Sequence, residues 1–78
     1  MRGFEDHEGR FWQAALLDAS YGSVLLVFSP LGGGEIRKLV MQVENMAEAL
    51  DRLAELDEDE LCRALATAEP WDPSQNDG

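Results

Sequence analysis

Near Glu44 the spacing of apolar side chains along the chain changes. Before it, "RFWQAALLDA" (10–19), "SVLLVFS" (23–29) and "EIRKLVMQV" (35–43) are short runs rich in aliphatic, β-branched and aromatic residues. Such runs, bounded by turn-forming residues, predict three strands. Asp18, Ser20 and Gly22 stand in the first connection, Pro30 and Gly32 to Gly34 in the second. These residues favour turns because they hydrogen-bond locally, preset φ or accept positive φ. Connections this short cannot carry a parallel crossover, so the strands form an antiparallel meander. A fourth, very short strand ahead of them is left open, with "DHEG" (6–9) as the turn between Phe4 and Phe11.

Beyond Glu44 the period becomes helical. Met46, Leu50 and Leu53, with Ala49 and Ala54 beside them, form one stripe, and Glu44, Glu48, Asp51 and Glu55 fall opposite. Asn45 followed by Glu48, and Asp57 followed by Glu60, are both spaced to cap a helix start. The second pair precedes a stripe of Leu61, Ala64, Leu65 and Ala68. Two helices follow, about 46–55 and 58–68, the second stopped by Pro70, which has no amide proton to donate. The expected fold is therefore α+β: a three-stranded antiparallel meander, four-stranded if the N-terminus pairs, followed by a helix pair on one sheet face. Residues 1–72 form the single domain and 73–78 a polar tail.

The strand faces raise the functional question. Val24, Leu26 and Phe28 point one way and Leu25 and Val27 the other; Trp12, Ala14 and Leu16 oppose Phe11, Ala15 and Leu17. In the third strand Leu39, Met41 and Val43 oppose Ile36 and Val40, with Lys38 and Gln42 diluting the latter face. A sheet covered by helices on one side should be polar on the other, yet both faces here are apolar. The candidate protein interface is accordingly Phe11, Leu17, Leu25, Val27, Ile36 and Val40, occupied by a second copy or a protein partner. The competing expectation is that Trp71, the tail and the N-terminal segment cover that face within one chain.

Composition narrows the alternatives. The chain has 78 residues, 45% of them hydrophobic and 28% charged, which suits a small folded domain. At roughly 0.05 to 0.15 kcal/mol per residue, its stability should be about 4 to 12 kcal/mol. Residues 1–43 carry four basic against five acidic side chains, and residues 44–78 two against eleven, so the halves hold −1 and −9 of the total −10. Nucleic-acid phosphates and anionic lipid repel such a chain, so neither is an expected partner. A basic protein surface could be engaged by Glu44, Glu48, Asp51 and Glu55, an acidic contact face that makes a decoy or regulator the second functional hypothesis. No stretch reaches the apolar length of a membrane span, and the lone cysteine suits a reducing compartment, so a cytoplasmic location is expected.

The candidate chemical groups are weak singly. "DEDE" (57–60) misses the calcium-loop pattern, with Cys62 where the turn glycine belongs and Ala68 where the bidentate acid belongs, and its acids suit a helix start. His7 lacks convergent catalytic partners in the sequence, and Cys62 follows acids that disfavour a thiolate. "FSPLGGGEIRKL" (28–39) has neither the Lys nor the Ser or Thr of a phosphate loop and leads into a strand, so its glycines make a hairpin connection. No catalytic residue, metal ligand or cofactor is assigned. An enzyme or small-ligand binder stays the least favoured of the three functions.

Overall fold

The computed structural model describes residues 2–19 and 23–71. Seven elements follow in order: β1 (Arg2–Glu5), β2 (Phe11–Asp18), β3 (Val24–Pro30), β4 (Ile36–Met41), α1 (Met46–Glu55), α2 (Glu58–Thr67) and β5 (Glu69–Trp71). They build an open five-stranded antiparallel sheet in the order β1-β2-β3-β4-β5 with two helices. The α+β class and the meander are as expected, but there are five strands. The N-terminal strand left open does form, pairing Phe4 with Trp12 and Glu5 with Phe11. β5 is a correction: Glu69, Pro70 and Trp71 pair with Lys38, Arg37 and Ile36 along the free edge of β4.

Local chemistry explains the turns. Between β1 and β2, Asp6 accepts the amides of Glu8 and Arg10, both at 2.9 Å, and closes the hairpin around residues 7 to 9. Between β3 and β4, the Gly33 amide donates to the Pro30 carbonyl at 3.2 Å, and Gly33 and Gly34 adopt φ of 90° and 130°. Those angles lie where a Cβ is strained, which accounts for glycine at both positions. Ser20 and Gly22, assigned to the turn between β2 and β3, lie outside the described residues, as does the tail at 73–78.

Both helices start as their sequences require. Asp57 accepts the Glu60 amide at 2.8 Å, and the Glu60 side chain accepts the Asp57 amide at 3.2 Å, completing the capping box of α2. In α1, Asn45 accepts the Glu48 amide at 2.8 Å, whereas Glu48 reaches one residue further back, to the Glu44 amide at 2.9 Å. The far end of α1 is held across the chain: the Arg2 guanidinium donates to the Leu53 carbonyl at 2.8 Å. A cation there also suits the negative end of the helix dipole.

The core lies entirely on one side of the sheet. Phe4, Trp12, Ala14, Leu26 and Phe28 meet Leu53, Leu61, Cys62 and Leu65 from the helices and Ala68 just past the end of α2, and Phe4 packs edge to face on Phe28. Helix α1 touches β2, and α2 touches both β1 and β4, crossing the strands between. The α1 stripe requires a correction: Ala49 and Leu53 are buried, but Leu50 is 52% exposed and Ala54 is exposed too. Met46, Ala49, Leu53 and Leu56 follow the line nearest the sheet, and Leu50 lies one position, about 100°, around the helix from Ala49.

The buried strand residues should dominate stability. Leu26→Ala, at a site 1% exposed, should cost about 2 to 5 kcal/mol, while Leu50→Ala should stay within about 0.5 kcal/mol. Urea unfolding followed by circular dichroism measures both. Equal losses at the two positions would contradict this core.

Candidate functional site

The alternation of β2, β3 and β4 gives the sheet a second face, away from the helices. Register joins its side chains into rows. Leu17 lies opposite Leu25, and Leu25 opposite Val40; Ala15 lies opposite Val27, Val27 opposite Lys38, and Lys38 opposite Glu69. Ile36 is opposite Trp71, and Gln13 opposite Ser29. Phe11 stands at one corner opposite Glu5. All six residues expected on this face, Phe11, Leu17, Leu25, Val27, Ile36 and Val40, therefore share it.

Nothing among the described residues covers the face. Phe11, Leu17 and Val40 are 57%, 42% and 53% exposed, while Leu25, Val27 and Ile36 are half-buried by their neighbours on the sheet. Of the segments in the competing expectation, Trp71 and the N-terminal strand extend the sheet sideways as edge strands instead of folding across it, and the tail at 73–78 lies outside the described residues. Trp71 thereby adds its ring to the open face, with the Lys38 ammonium 5.9 Å from the ring centre. Lys38 also pairs with Glu69 at 3.8 Å, so the cation on the β4 part of the face is matched from the adjoining strand. Trp71 and Glu69 are the residues of this surface that periodicity missed. The available signal was an aromatic residue just after a proline, a combination suited to a short edge strand.

The acidic candidates are spread differently. Glu44, Asp51 and Glu55 are exposed, but Glu48 is half-buried as a residue and its carboxylate is occupied in capping α1. At the start of α2, Asp57 and Glu60 are taken up by the capping box. Asp59 pairs with Arg63 at 3.1 Å and lies 3.4 Å from His7 Nε2, all at the surface.

A separate cleft of about 300 Å³ lies between the β1–β2 hairpin and α2. His7, Arg10 and Arg37 stand at it beside the Cys62 thiol, which is buried and donates to the Glu5 carbonyl at 3.5 Å. Burial, then the carboxylates of Asp6, Asp59 and Glu58, push that thiol up from its ordinary value, away from the reactive thiolate. Asp6 accepts Trp12 Nε1 at 2.8 Å as well as the two hairpin amides, while Arg10 lies over the Trp12 ring. A second concavity, of about 490 Å³, is open to solvent along Phe11, Leu31 and the glycine turn. Among the described residues, no group of three or more His, Cys, Asp or Glu gathers as a metal site, and no helix is long and apolar enough to cross a membrane.

The Asp6 hairpin predicts a pH dependence. The Arg10 amide, helped by Trp12, the Glu8 amide and the Arg10 charge, holds the Asp6 carboxyl below its ordinary 3.8, against a smaller opposing effect of burial. A lowered folded-state value means that the ionised form stabilises the fold above pH 3.8, and that this contribution is lost as pH falls through the lowered value. Asp6→Asn should therefore flatten stability against pH in urea titrations as the pH falls from about 3.8 downward. An unchanged slope would remove Asp6 from that role. Comparison with protein families, curated proteins and solved structures yields no match.

Proposed function

We propose that this chain is a non-enzymatic protein-interaction module that offers the open face of its sheet to a protein partner. The observation supporting this function is the contiguous apolar surface running from Leu17, Leu25 and Val40 through Ala15 and Val27 to Ile36 and Trp71. Solvent contact with such a patch is unfavourable by roughly 25 cal/mol per Å² of apolar area, and soluble proteins that retain one generally use it for association.

The acidic decoy draws less support. Glu48, Asp57 and Glu60 each cap a helix and Asp59 pairs with Arg63, so much of the negative charge has local work that would place acids there without any partner. Charges on a solvated helix also maintain solubility, which an apolar face makes necessary.

Site-specific photocrosslinking in the producing cell tests the function. A benzophenone side chain at Val40 should yield covalent protein adducts, and one at Asp51 on the helix side should yield none. Absence of any protein adduct from Val40 would overturn the proposal. Adducts from Asp51 alone would transfer the function to the acidic helices.

A further inference from the structure

We infer that the occupant of the open face is a second copy of this chain, docked sheet to sheet about a two-fold axis to form a helix–sheet–sheet–helix sandwich. The inference rests on the interaction function proposed above and names its partner. Charge layout is the first argument. A net charge of −10 opposes self-association by most surfaces, because like charges would be brought together. Eight of the acids, Glu44 to Glu60, belong to the helical layer and its caps, whereas the sheet face opposite carries Lys38 and Glu69 already paired, with Glu5 at the β1 rim. Sheet-to-sheet docking leaves both acidic layers outermost. Sheets packed face to face are about 10 Å apart and each helical layer lies beyond its own sheet, so the acidic layers stand further apart than the Debye length of about 10 Å at 0.1 M salt.

The face is also suited to burial against itself. Lys38 has its counter-ion on its own chain and lies near the Trp71 ring, so covering it leaves no unmatched cation. With the two-fold axis along β3, Leu25 and Val27 meet their counterparts and Leu17 comes opposite the second copy's Val40. The apolar end of each face then meets an apolar end, the self-complementarity that a two-fold interface demands.

Pairing through strand edges is the competing geometry, and both edges are blunted. β1 has four residues, and β5 has three with Pro70 at its centre, where no amide proton is available for a further ladder. Five strands about 4.8 Å apart, in contact over some six residues at about 3.3 Å each, give a footprint of roughly 480 Å² per copy. Two copies together cover about 1,000 Å², the lower bound of a specific interface, so the dimer should dissociate on dilution.

Sedimentation velocity on the full chain tests this. The mass should approach twice 8.7 kDa at several hundred micromolar and fall toward 8.7 kDa on dilution. Val40→Glu, which alters an exposed position, should raise the dissociation constant at least about tenfold with the circular dichroism spectrum unchanged, and Asp51→Ala should not weaken the dimer. Should Val40→Glu fail to fold, wild-type fluorescence gives the independent readout: Trp12 is buried throughout, so a red shift on dilution reports Trp71 leaving the interface. A wild-type monomer at several hundred micromolar, or a dimer that survives Val40→Glu, overturns the inference. Heterologous adducts from Val40 together with a monomer would retain the interaction function and remove only the second copy; no adducts of any kind would remove both.

Discussion

Val24, Leu26 and Phe28 sit at the centre of the sheet and are almost completely enclosed, and the fold is organised by their need for cover. One layer of two ten-residue helices provides it. Leu53, Leu61 and Leu65 descend on Leu26 and Phe28, while Phe4 and Trp12 close the β1 side. Each large side chain removed from water contributes about 1.5 to 3 kcal/mol, and a chain this short has one such layer to build. The same strands alternate, so enclosing Val24, Leu26 and Phe28 turns Leu25 and Val27 outward. The open face is the geometric counterpart of the core.

Polar interactions divide by the same layers. On the helical side, carboxylates close helix starts, Asp6 ties the β1–β2 hairpin to Trp12, and Arg2 anchors the end of α1 to the first strand. These contacts position the elements without entering the core, where no polar or charged residue is buried among the described residues. On the sheet side, Lys38 and Glu69 match one another and leave the surface around them apolar. Acid on one side and hydrocarbon on the other give the molecule two chemically distinct surfaces, and that contrast supports placing association on the sheet.

Much of this was legible from local pattern because strands and helices impose different periods. The short, turn-bounded apolar run "SVLLVFS" and the caps at Asn45 and Asp57 correspond to observed elements within a residue or two. The six residues assigned to the second face do share it, since alternation alone decides which way a strand side chain points. Leu50 was misassigned because a helical stripe read from spacing has no absolute angle; only the position of β2 relative to α1 sets which line of side chains is innermost. β5 was missed because three residues are too few to show a period, and Pro70 at their centre reads as a stop.

By itself, then, the sequence determined the α+β class, the antiparallel order of the central strands, the helix starts and the concentration of acid in the C-terminal half, all properties set within a few residues of one another. Tertiary structure decided what lies far apart along the chain: that Trp71 returns to the edge beside Ile36, that Arg2 reaches Leu53, and that β1 and β5 take the two edges of the sheet. The physical reason is common to all three. Long-range contacts depend on which surfaces remain free after the core has closed, and that competition for burial is settled only when the helices have taken one side of the sheet.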